Sequence, residues 1–96
     1  MLIVVTYDVD TKSAAGEKRL RRVAKICERY GIRVQNSVFE VIVSSAELAA
    51  LKGELREAIN IEKDSIRFYR LGNSYEHKID KMGKKSLVQT GEALML

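Results

Sequence analysis

The first strand-like stretch of the chain, Leu2-Ile3-Val4-Val5-Thr6-Tyr7, is apolar on both of its sides, and this constrains the fold more than any other feature. Successive side chains of a strand point to opposite faces of a sheet, so Ile3 and Val5 share one face while Leu2 and Val4 share the other. Val38 and Ile42 oppose Phe39, Val41 and Val43 in the same way. A sheet built from such strands needs cover on both faces. The remaining apolar periodicity supplies two helices, enough to shield one face. Leaving the other bare would expose a larger patch than soluble monomers ordinarily carry. A second copy of the same sheet, related by a two-fold axis, is the simplest cover. The alternative is the chain's own C-terminal tail folded back across it.

The order of elements follows from the same patterning. A strand over residues 2–9 runs into the polar connection Asp10-Thr11-Lys12-Ser13. A helix is expected from about residue 14 to Tyr30, with Leu20, Val23, Ala24, Cys27 and Tyr30 forming its apolar stripe. Gly31 stands where helices often end in a left-handed residue. Ile32 to Ser44 is too long for one ordinary strand, and Asn36-Ser37 divides it into a hairpin of Ile32 to Gln35 against Val38 to Val43. Ser44 and Glu47 have the spacing of a capping box, opening a second helix that buries Leu48, Leu51, Leu55, Ala58 and Ile59. After a turn over Asn60 to Asp64, the alternation of Ser65 to Leu71 predicts a strand. Strand-helix-strand occurs twice, which predicts an α+β, ferredoxin-like βαββαβ domain spanning residues 1–96, with its core in residues 1–72. The tail, 73–96, offers one more strand fragment at Leu87-Val88.

A chain of 96 residues makes one domain with a thin core. No apolar run approaches the roughly 20 residues that cross a bilayer, and the N-terminal sequence reads as mature structure rather than a signal peptide. The single cysteine, Cys27, suits a reducing cytoplasm and sits on the apolar stripe, so it is expected in the core. The formal net charge of +4 matters through its placement. Lys18, Arg19, Arg21, Arg22, Lys25 and Arg29 crowd one helix, and Lys78, Lys81, Lys84 and Lys85 form a second basic run. Clustered positive charge attracts polyanions, of which nucleic acid is the commonest in a cytoplasm; a solvated basic helix face is the plainer alternative.

Few side chains suggest chemistry. Asp8 ends the first strand, where a carboxylate suits a hard cation such as Mg²⁺. One carboxylate is a poor site, but two copies of Asp8 brought together by a two-fold axis would share one ion. Capping the loop that follows is the ordinary role of an acid so placed. Asp10 falls in the loop, and Glu40, an acid inside a strand, is expected either on an exposed edge or paired with an arginine such as Arg33. His77 has no Cys or His neighbour and reads as a surface residue. The chain has no phosphate-cradling glycine loop, metal-binding cysteine pair or nucleophile elbow.

Taken together, Val5-Thr6-Tyr7-Asp8-Val9, the basic helix, Arg33-Val34-Gln35-Asn36-Ser37-Val38-Phe39-Glu40 and Arg67-Phe68-Tyr69-Arg70-Leu71-Gly72 resemble one family over essentially the whole chain. It is the CRISPR-associated endoribonuclease family, the second of the two universal CRISPR adaptation proteins. The resemblance implies a homodimer packed sheet to sheet, with each tail added to the edge of the partner's sheet. It implies metal-dependent endonuclease activity on single-stranded RNA or double-stranded DNA, with Asp8 as the Mg²⁺ ligand and with Arg33 and Phe39 as further catalytic residues. Arg19, Arg21, Arg22 and Lys25 become the candidates for holding nucleic acid, and a companion CRISPR integrase becomes a partner. Phe39, on a face assigned to burial or dimer contact, reads as interface support rather than a platform for bases. The paired-sheet expectation is checked by sedimentation: the purified protein should run at twice the chain mass at micromolar concentration. A monomer persisting at that concentration would contradict it.

Overall fold

The computed structural model describes residues 1–83. Its elements are β1 (Leu2–Asp8), α1 (Ala14–Tyr30), β2 (Gly31–Gln35), β3 (Val38–Ile42), α2 (Ser45–Ala58) and β4 (Ser65–Gly72). The four strands form one antiparallel sheet in the order β2-β3-β1-β4. The expected strand at Leu87-Val88, with Lys84 and Lys85, lies outside the described residues.

Local sequence explains each boundary. The Ser13 hydroxyl caps α1 by accepting from the Gly16 N–H at 3.1 Å. At α2 the capping box is complete in both directions: the Ser44 hydroxyl accepts from the Glu47 N–H, and the Glu47 carboxylate from the Ser44 N–H. Asn36-Ser37 turns the hairpin as expected. Gly31 differs. Its φ is −168°, extended rather than left-handed, and it is already the first residue of β2. A glycine is needed there for space: a Cβ would lie 2.2 Å from the Glu40 carbonyl oxygen and 2.5 Å from Val41 Cγ1. The helix therefore passes into the edge strand with no connecting residue.

One core fills the space between the helices and one face of the sheet. Ile3, Val5 and Tyr7 of β1 and Phe39 and Val41 of β3 meet Val23, Ile26 and Cys27 of α1 and Leu48, Leu51 and Leu55 of α2. Burial pushes the Cys27 thiol up to about 11, which keeps it a neutral core side chain at neutral pH. The alternate positions face away from the helices. Cross-strand pairing puts Val4 between Glu40 and Tyr69, Thr6 between Val38 and Arg67, and Asp8 opposite Ser65. Ile42 and Tyr69 remain 54% and 46% exposed on this open face. The face is thus less apolar than β1 and β3 alone suggest, because β4 presents Ser65 and Arg67 to it alongside Tyr69.

Two expectations change. Glu40 does not pair with Arg33, since the register places it opposite Ile32 and Val4 on the open face. Arg33 lies opposite Phe39 on the helix side and meets Glu28 of α1 at 3.8 Å instead. Nor is Phe39 on the face awaiting a partner; it is fully buried beneath the helices, where its ring stacks with that of Tyr7. The Gly31→Ala variant tests the close approach at the helix–strand junction. Since forcing atoms into a packed site typically costs about 1–3 kcal/mol, its urea midpoint should fall with an unchanged slope.

Candidate functional site

Asp8 is where the sheet presents chemistry. The alternation that buries Tyr7 turns Asp8 to the open face, and the residue is exposed at the end of β1. Among the described residues its carboxylate has no hydrogen bond or ion pair. It is not a cap: Ser13 takes that role, and Asp10 closes the loop by accepting from the Lys12 N–H at 3.0 Å. The Tyr7 N–H donates to the Ser37 carbonyl at 3.1 Å and the Tyr7 hydroxyl to the Asn36 carbonyl at 3.3 Å, which ties the β2–β3 turn to the end of β1. Arg67, one cross-strand pair from Asp8 on the same face, is exposed and donates to the Tyr69 hydroxyl at 3.2 Å. The described residues hold no cluster of three or more His, Cys, Asp or Glu side chains. One chain therefore offers a single free carboxylate here, too few protein ligands to hold a hard divalent cation by itself.

The positive charge lies on the other layer. A groove of about 660 Å³ runs between α1 and α2, lined by Lys18, Arg21, Arg22, Lys25 and Arg29 and faced by Glu54 and Glu57. Arg29 is committed to Glu54, which also accepts from the Tyr30 hydroxyl. Lys18, Arg21, Arg22 and Lys25 form no ion pair among the described residues. They recur at helical spacing over about 10 Å of axis, which suits a row of phosphates.

Arg19 does not join that row. Its Nε donates to Asp64 Oδ2 at 2.8 Å and its Nη2 to Asp64 Oδ1 at 3.3 Å, and its side chain is 18% exposed. Asp64 is the one buried charged residue among those described. The N–H groups of Asp10 and Asn60 also donate to it, at 3.0 and 2.9 Å. Burial alone would raise the Asp64 carboxyl, but the Arg19 guanidinium and these two backbone donors outweigh it and hold it below the ordinary carboxylate range. Sequence reasoning missed Asp64 because an acid in a turn reads as solvent-exposed. The available signal was Arg19 beside the apolar stripe at Leu20, where a cation needs a partner.

The remaining residues singled out by resemblance lie apart from Asp8. The Arg33 guanidinium carbon is 5.2 Å from the centre of the Phe39 ring, a cation–π contact. Both residues face the helix layer, and the enclosed Phe39 ring is placed to support β1 and β3 rather than to touch a ligand. Within one protomer the fold does not gather Asp8, Arg33 and Phe39 on one face. His77 is exposed, as expected.

Comparison with known proteins gives consistent matches. The family model described as CRISPR associated protein Cas2 matches residues 1–79. The CRISPR-associated endonuclease Cas2 of Halalkalibacterium halodurans is 54% identical over 95 residues, which is 99% of each chain. The CRISPR-associated endoribonuclease Cas2 3 of Rhodospirillum rubrum is 47% identical over 99% of this chain and 100% of its own. The crystal structure of Streptococcus pyogenes Cas2 at pH 6.5 superposes with a TM-score of 0.77 at 51% identity, covering 86% of this chain and all of that one.

The Asp64 environment predicts a particular acid response. A carboxyl whose folded value is depressed contributes stability that is full above the unfolded value, about 4 for Asp, and is lost as pH falls through the folded one. Asp64→Asn removes that contribution. The variant should be less stable than the parent at neutral pH, with the difference narrowing on acidification below about pH 4, measured by urea unfolding at stepped pH.

Proposed function

This chain belongs to the family of CRISPR associated protein Cas2, and from that membership we propose that it is a homodimeric nucleic-acid-binding protein of CRISPR adaptation, the capture of new spacers, with Mg²⁺-dependent endonuclease activity on RNA or double-stranded DNA. The relatives' names, endonuclease and endoribonuclease, support hydrolysis of phosphodiesters. The strand order β2-β3-β1-β4 with two helices supports the ferredoxin-like reading. The observation that carries the proposal is the unpartnered Asp8 carboxylate on a face that still exposes Ile42 and Tyr69.

Packing two open faces together about a two-fold axis buries Ile42 and Tyr69 and brings two copies of β1 into one interface. Each chain then offers one Asp8 carboxylate to a shared cation, which, when bound, would lower the pKa of a water and offset charge on the phosphate under attack. Arg67, on the same face, is placed to hold a phosphate oxygen. Lys18, Arg21, Arg22 and Lys25 hold the backbone of the nucleic acid from the helix side without reading its sequence. No helix among the described residues is long and apolar enough to cross a membrane; the cytoplasmic location is proposed from the single cysteine, which suits a reducing compartment.

A second reading, a non-catalytic bridge that positions duplex DNA for a companion integrase, is favoured by one observation. The unpaired cations lie on the helix layer and Asp8 on the opposite face of the sheet, so the strongest phosphate grip of a protomer is turned away from its own acid. Two variants separate the readings. Asp8→Asn should remain dimeric and abolish chelator-sensitive cleavage, while the Arg21→Glu, Arg22→Glu double variant should weaken DNA binding at least about tenfold and flatten its salt dependence. Undiminished cleavage by Asp8→Asn would eliminate the metal-dependent reading and leave the bridge. Unchanged affinity in the double variant would make the groove plain solvated surface.

A further inference from the structure

Three separate contacts converge on the backbone of Asp10, two residues beyond Asp8. Asp64 Oδ1 accepts its N–H at 3.0 Å. Arg19 Nη2 donates to its carbonyl at 3.4 Å while Nε holds Asp64. The first turn of α1 presses against the same carbonyl, because a Cβ on Gly16 would lie 1.9 Å from that oxygen. Asp64 is also covalently joined to Ser65, the residue that pairs with Asp8 across β1 and β4. One buried carboxylate thus fixes both strands on which Asp8 depends, from the side opposite its exposed face.

We propose that Asp64, with Arg19 and Gly16, is a positioning device that fixes the height and direction of Asp8 at the end of β1. Asp64 acts through the Asp10 backbone and the Asp8–Ser65 pair. The geometry gives a reason for this chain to bury a carboxylate against a partly exposed arginine at the border of its core. A buried ion pair is weak as a source of stability, because desolvation cancels most of the attraction. It is strong as a source of direction, because a carboxylate with four donors has one orientation that satisfies them all. The use made of that direction rests on the reading of Asp8 as the metal-binding acid, whereas the clamp itself does not.

The test separates these two layers. The Asp8 side-chain carboxyl signal and the amide exchange of Val9 and Asp10 are followed by NMR in the metal-free full chain, in the parent and in Asp64→Asn, Arg19→Lys and Gly16→Ala. Gly16→Ala pushes on the Asp10 carbonyl and leaves both charges in place, and Arg19→Lys keeps a cation for Asp64 while losing the guanidinium fork, so it keeps the test valid if Asp64→Asn or Gly16→Ala fails to fold. All folded variants should shift or broaden the Asp8 carboxyl signal and speed Asp10 exchange at least tenfold. Exchange in β3 and the Glu47 amide at the far cap should stay within twofold of the parent. An unmoved Asp8 signal, or an effect spread evenly over the sheet, overturns the proposal and leaves the pair a general support. Mn²⁺ binding followed by electron paramagnetic resonance reads the consequence: half-saturation should rise about tenfold in the variants and be lost in Asp8→Asn. A parent that binds no Mn²⁺ through Asp8 would defeat the metal reading alone, and the NMR result would still decide the clamp.

Discussion

The packing of Val5, Phe39 and Val41 against Cys27, Leu51 and Leu55 closes one face of the sheet and uses up both helices in doing so. Everything else in the chain is arranged around what that contact leaves uncovered. Because strands alternate, each residue driven into the core sends its neighbour to the other side. Val4, Asp8 and Tyr69 are the necessary complements of Val5, Tyr7 and Phe68. The acid is therefore displayed on the open face by the same periodicity that builds the core. No separate loop or insertion is required to present it.

Much of this was legible in the chain itself. The Ser44–Glu47 box, the Asn36-Ser37 turn and the leucine stripe of α2 are local patterns whose partners lie within a few residues, and the structure reproduces them. What escaped were features that depend on distant partners. Gly31 suggested a left-handed helix end, but its reason is the Glu40 carbonyl, nine positions away and brought close only by the β2–β3 pairing. The Arg33–Glu40 pair failed because adjacent strands put those two side chains on opposite faces. Asp64 was invisible because its burial is created by Arg19, forty-five residues earlier in the chain. Of the candidate site, Asp8 was readable as a strand-ending acid. The division of Arg19 from Arg21, Arg22 and Lys25 was not, since all four crowd one short stretch of helix and only the packed structure shows which charge is already spent.

That division sharpens the physical picture of the molecule. Charge on a helix is not a single reservoir: Arg19 works inward, Arg29 is engaged with Glu54 on the neighbouring helix, and Lys18, Arg21, Arg22 and Lys25 face outward. The outward set lies on one layer and Asp8 on the other, with the core between them. The chain is thus two-sided in electrostatic as well as hydrophobic terms. Among the described residues, the packed interior separates its basic side from its acid-bearing side.

The junction at Gly31 joins the helix layer to the sheet directly. A typical helix-to-strand connection contains a few residues whose backbone torsions can yield when either element is displaced. Here there are none, and the missing Cβ lets the chain lie directly against Glu40 and Val41. Any shift of the last turn of α1 has to be taken up within β2 itself, where Gly31 lies against Glu40 and Val41. The end of the helix and the rim of the sheet are one continuous run of chain.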